Sequence, residues 1–149
     1  MTEPRPATPD GKDLYARVVS LFPRQRPQRG RLYNLPSDPD GTSAEVRDAN
    51  AHEARVTLMR GHEDKAGFWR HDQAELIVNH RTQALTVKTF VHYPHATHQP
   101  RFISDADDRA HRLDAWLTPL QGKQFDAGSK NPFGSWLSTM VYAWKHRRE

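Results

Sequence analysis

The run Leu85-Thr-Val-Lys-Thr-Phe-Val-His-Tyr93 constrains the fold more than any other stretch of the chain. Its side chains sort by alternation: Leu85, Val87, Thr89, Val91 and Tyr93 on one side, Thr86, Lys88, Phe90 and His92 on the other. Apolar residues at every second position describe a strand with one face in a core. A strand also commits its neighbours, because its amides and carbonyls need partners on both flanks. Arg55-Val-Thr-Leu-Met-Arg60 alternates in the same way, with Val56 and Leu58 together, and Phe68 to Val78 is a further apolar-rich run. Asn79-His-Arg-Thr-Gln83 is a polar turn between two such runs, so the spacing predicts a hairpin.

The flanks read as helices. Asp10 caps a first helix over about 12–22 carrying Leu14, Val18, Leu21 and Phe22, and Pro23 stops it. Ser104 opens a second, with Asp105, Asp107 and Asp108 at its positive end and a stripe of Ala106, Ala110, Leu113, Leu117 and Leu120. Asn131 and Pro132 start a third that presents Phe133, Trp136, Leu137, Met140 and Trp144. The predicted fold class is therefore α+β. An antiparallel sheet of three to four strands, roughly 54–60, 68–79 and 84–93, is packed by an N-terminal helix and two C-terminal helices. Residues 1–11 are expected to be a disordered tail and 12–149 one domain. Within it, 23–43 is irregular and rich in Arg and Pro, and 43–53 is a loop or short helix.

Composition matters here mainly for what it excludes. Hydrophobic residues are only 36% and the mean hydropathy is −0.90, but four Trp, six Phe and four Tyr in 149 residues supply enough buried area for one core. The absence of Cys removes disulfides, thiolate zinc sites and cysteine nucleophiles. No apolar segment reads as a secretory leader or a membrane span, so the expectation is a cytoplasmic protein with no membrane partner. Phosphate-loop, dinucleotide-fold and nucleophile-elbow motifs are all missing, and no cofactor is expected.

Charge is the feature that remains. The net value is +4, yet residues 1–31 hold seven basic groups against three acidic, while 32–53 hold one against five. Arg24, Arg26, Arg29 and Arg31 fall in a Pro- and Gly-broken arm with no acid, and Lys145, Arg147 and Arg148 close the chain. Guanidinium forks bind phosphate, and an irregular arm can follow a nucleic-acid backbone. Lys88 and Phe90, on the outward side of the alternating run, would add a cation and a stacking ring. The leading expectation is a small non-catalytic DNA- or RNA-binding protein that contacts mainly phosphate. A protein-interaction module, an inhibitor, adaptor or assembly component, is the alternative.

The third expectation is an enzyme. His71, Asp72 and His80, with arginines beside them, are the residue types of a metal-independent ribonuclease. His92, His95 and His98 recur at intervals of three where the run ends, a spacing that places three imidazole metal ligands in one loop. Asp72 and Glu75 with a later Lys are the residue types of a metal-dependent nuclease site, although the Pro-Asp…Glu-x-Lys arrangement is not present in recognisable form.

Overall fold

The computed structural model describes residues 7–36, 38, 41–63, 67, 69–93 and 99–130. The chain begins with helix α1 (Gly11–Val19) and continues into strands β1 (Arg31–Asn34), β2 (Ser43–Ala49), β3 (Glu53–Glu63), β4 (Trp69–Asn79) and β5 (Ala84–His92). A two-residue strand β6 (Arg101–Phe102), helix α2 (Ala106–Leu117) and a two-residue strand β7 (Ser129–Lys130) complete it. All pairings are antiparallel, in the order β6-β5-β4-β3-β2-β1-β7. Strands one to six form a plain meander, and only β7 returns across the molecule to close the β1 edge.

The α+β class and the antiparallel sheet agree with the sequence reading, but the sheet is larger than expected. Residues 31–34 and 43–49 are strands, not loop or short helix. Their pattern was hidden because β2 (Ser-Ala-Glu-Val-Arg-Asp-Ala) carries three charges in seven residues and a bulge. Two helices lie among the described residues. The third expected helix, from Asn131 to Trp144, falls outside them.

Each helix starts where its sequence dictates. The Asp10 side chain accepts the Lys12 amide at 3.1 Å and opens α1. Asp105, one residue after the expected Ser104, accepts the Asp107 amide at 3.0 Å and opens α2. Both helices pack on one sheet face. Leu14 and Val18 of α1 and Leu113, Trp116 and Leu117 of α2 join Ala44, Val46, Ala54, Val56, Leu58, Ala74, Leu76 and Val78 in one buried cluster. Arg17 of α1 bonds Asp114 of α2 and ties the two helices together. Phe22, Tyr33 and Phe125 stack with centroids 4.9 to 6.1 Å apart at the β1 side. Gly128 lets β7 approach there. Its φ is +79°, and a Cβ would lie 2.7 Å from the Tyr33 ring.

The alternating run that implied the sheet is itself interrupted. Glu75 pairs with Thr89, but Leu76 pairs with Val87, so Lys88 is an extra residue in β5. A bulge of one residue reverses the side-chain phase beyond it. Leu85 and Val87 face the helices as expected, whereas Phe90 now turns inward, 2% exposed, with its ring 4.9 Å from that of Trp116. Thr89 and Val91 go to the opposite face. Phe90 is therefore a core residue, which corrects its assignment as a stacking group. The register of β2 against β3 shifts in the same way at Arg47.

The β5 edge is covered by side chain and loop. Arg109 donates from Nε to the Val87 carbonyl at 2.9 Å, and the Ile103 amide bonds the Phe90 carbonyl at 3.0 Å. Such coverage blocks edge-to-edge pairing with a second chain. Among the described residues no helix is long and apolar enough to cross a membrane.

Candidate functional site

At one end of the sheet the β2–β3 turn and the β4–β5 hairpin lie side by side. Each is closed by an asparagine acting through its own side chain. The Asn50 Oδ1 accepts the amides of His52 and Glu53 at 2.8 and 2.9 Å. The Asn79 Oδ1 accepts those of Arg81 and Thr82 at 3.0 and 3.1 Å. The His80 amide then donates to the His52 carbonyl at 2.8 Å and joins the two turns.

The arginine arm arrives at this end and is pinned, not free. A tight turn covers Pro23–Gln25. The Gln25 amide bonds the Phe22 carbonyl at 2.9 Å, the Gln28 amide the Tyr33 hydroxyl at 3.1 Å, and the Gly30 amide the Val46 carbonyl at 2.9 Å. Pro27 is buried beneath it. Arg24 and Gln25 are both left-handed, at φ 57° and 55°, a conformation that costs a residue with a side chain on the order of 1–2 kcal/mol. Backbone held in this way is a feature of sites more often than of plain connectors.

The four arginines of the arm part company. Arg24, Arg26 and Arg29 are exposed. Arg29 reaches Asp48 at 3.7 Å, both side chains mostly in solvent, so that pair contributes little. Arg31 is half-buried and donates to the Gly128 carbonyl at 3.3 Å, which makes it a structural link between β1 and the segment before β7. Arg26 stands beside His80. Burial first, and then the positive charge of Arg26, push the His80 imidazole below its ordinary value. The His80 Nδ1 lies 2.9 Å from the Tyr15 hydroxyl of α1, with the rings edge to face. Arg24, Arg26 and Arg81 have no carboxylate partner among the described residues. The result is an exposed cationic rim made by two segments more than fifty residues apart in sequence.

The other end of the sheet carries different chemistry. Asp72 is buried, its Oδ2 2.9 Å from His92 Nδ1, and its Oδ1 accepts the Tyr93 amide at 3.0 Å. Arg60 is the cross-strand partner of Asp72, and Arg101 that of His92, so four strands present Arg, Asp, His and Arg in one transverse row.

These positions separate the enzymatic candidates. His71 and Asp72 are consecutive in β4 and leave opposite faces. His80 is eight residues further on, about 26 Å along a strand at about 3.3 Å per residue. His71, Asp72 and His80 therefore do not assemble into one site. Asp72 and Glu75 also point to opposite faces, which removes the two-carboxylate metal arrangement. The imidazole that does meet Asp72 is His92, a contact that residues twenty apart give no local sign of. His95 and His98 lie outside the described residues, as do Lys145, Arg147 and Arg148. Among the described residues no three His, Asp or Glu side chains group as metal ligands.

On the face that carries neither helix, a cavity of about 240 Å³ opens between Glu45, Thr57, Gln73, Glu75 and Thr89. Lys88 reaches Glu75 there at 3.8 Å, both side chains partly in solvent. The volume falls below the range of about 300–1,000 Å³ common for small-molecule sites. Arg47 of β2 and Lys88 of β5 are the exposed cations bordering this face among the described residues.

The predicted stacking ring fails on burial: Phe90 is 2% exposed, and Tyr33 at the β1 side is 1% exposed. The aromatic that stands open among the described residues, Phe102 at 69%, was not singled out in the sequence. Only its position next to Arg101, after a polar segment and before the Ser104 helix signal, hinted at an edge. Comparison of the chain with protein-family models, with curated proteins and with solved structures returned no match.

Proposed function

We propose that the protein binds nucleic acid through the phosphate backbone, using the rim formed by Arg24, Arg26, His80 and Arg81. One observation carries the reading. The arginine arm, which sequence alone leaves unplaced, is held against the hairpin so that exposed guanidiniums with no carboxylate partner among the described residues gather at one end of the sheet. Phosphates displace condensed counterions when such groups bind, so affinity rises steeply as salt falls. The pinned backbone supports this reading too. A loop already ordered loses less conformational freedom on binding than a flexible arm does.

The test is a titration of labelled DNA and RNA, single- and double-stranded, at low and at physiological salt. Arg24, Arg26 and Arg81 replaced together by Ala should weaken binding across all sequences. On single strands, three lost contacts make the slope of log K against log salt shallower by about 2. Absence of binding at low salt removes the proposal, and an unchanged slope removes these three residues from it.

A further inference from the structure

We infer that Phe102, on the edge strand β6, is a nucleobase-stacking platform that directs the backbone site to single-stranded nucleic acid. The inference rests on the nucleic-acid reading above and adds the class of strand it takes.

Phe102 is the one large hydrophobic residue that stands exposed among the described residues. It is not at a floppy tip. It pairs with Val91 in the sheet, and the next residue, Ile103, is 6% exposed and bonded to the Phe90 carbonyl. The ring is thus presented by ordered backbone on both sides. Val91 belongs to the face without helices, as does Lys88, so Phe102 and Lys88 border the same surface along β5. Arg101, the preceding residue, is exposed on the other side of the same edge. A strand crossing this edge meets a guanidinium for its phosphate and a ring for its base.

The path from this point to the cationic rim runs the length of β5 and round its hairpin end, where His80 meets Tyr15 on the helix side. From Ala84, beside the hairpin, to Val91 is seven residues of β5, about 23 Å at about 3.3 Å per residue. One strand of nucleic acid advances about 3.4 Å per nucleotide when stacked, so the path takes about seven nucleotides with Lys88 midway. Exposed aromatics on a sheet interleaved with cations are the arrangement by which unpaired bases are held, because every base offers a π-face. In a duplex both faces of an internal base are already stacked, and the ring has nothing to receive.

The test measures affinity for a twelve-nucleotide oligothymidylate, an oligothymidylate trinucleotide and a twelve-base-pair duplex at low salt. Phe102→Ala should weaken the long single strand by about 5- to 100-fold, the range seen when a stacking ring is removed. It should leave the duplex and the trinucleotide, which is too short for the path, within about 2-fold, well under one decade of binding constant. Phe102→Trp should restore the long strand, whereas Phe102→Leu, apolar but unable to stack, should not. The melting temperature of each variant reports that the fold is intact. If Phe102→Ala leaves the long strand unchanged while Arg24, Arg26 and Arg81 replaced by Ala weaken it, the stacking inference is wrong and the backbone reading stands. Equal loss for duplex and single strand overturns it as well. If the wild-type protein binds no nucleic acid at low salt, both fall, and Phe102 is left as an exposed contact for a protein partner.

Discussion

The two ends of the β4–β5 pair each hold a histidine, and the sheet treats them in opposite ways. At the hairpin end His80 faces a neutral hydroxyl, Tyr15, and a cation, Arg26. At the far end His92 faces a buried carboxylate, Asp72. The first environment favours the uncharged ring and leaves the surrounding guanidiniums facing solvent. The second ties its imidazole into a corner where β5 ends, since Asp72 also takes the Tyr93 amide. Nine histidines in one chain are thus not one signal. Their chemistry is set by what lies around each ring: a hydroxyl and a cation at the hairpin end, a buried carboxylate at the far end.

The sharpest way to break this contrast is at the lock. Asp72→Ala removes an acceptor that satisfies both His92 and the Tyr93 amide in a buried position. It should cost about 2–3 kcal/mol in urea unfolding. Affinity for duplex, which does not use the Phe102 ring, should be unchanged on the remaining folded protein, and a parallel loss of duplex affinity would show that the cationic rim depends on the lock. A smaller effect is expected at the hairpin. Tyr15→Phe deletes one partly buried hydrogen bond and should cost about 1 kcal/mol in the same experiment. Smaller again, and of opposite sign, is Gln25→Gly. It relieves a left-handed side-chain residue but gives the unfolded chain more freedom, for a net gain of about 0.5 kcal/mol in thermal unfolding.

The last prediction concerns protons. His80 titrates below 6.5 in the folded protein, mainly through burial and then through Arg26. As pH falls, the unfolded chain therefore takes up the proton first. The stability linked to this group is present above pH 6.5 and is lost as pH drops through the lower folded value. His80→Gln should flatten that acid-side decline in a pH series of unfolding curves. Arg26→Ala should raise the His80 titration seen by NMR only part of the way to 6.5, because burial persists. A full return to 6.5 would show that charge, not burial, sets the value.

Much of the central sheet was legible from local patterning. Val56 with Leu58 and Leu85 with Val87 alternate as a half-buried strand must, and Asn79 to Gln83 marks the turn between the last two long strands. The β2 strand was not legible, because Glu45, Arg47 and Asp48 give a seven-residue segment the polarity of a loop. Glu45 is nevertheless 6% exposed. The phase of β5 beyond Lys88 was not legible either. An alternating pattern reads equally well with or without an extra residue, and only the pairing to β4 decides which of Phe90 and Val91 goes inward. The larger ring wins the core, where Trp116 meets it. Of the candidate site, the arginines could be named in advance but not sorted. Arg31 serves the carbonyl of Gly128, which lies 97 residues away, and Arg26 serves the hairpin.

By itself, the sequence determined that this chain builds an α+β domain from hairpin-linked strands and capped helices, and that its cations come in separate blocks. Both properties are local: alternation, caps and charge runs are set by residues within a few positions of one another. The tertiary structure alone decided that Phe90 is core and Phe102 is open, that Asp72 meets His92 and neither His71 nor His80, and that the arginine arm lies beside the hairpin. Each of these depends on strand register and on chain segments that are distant in sequence, which sheet pairing selects by burying the most apolar surface.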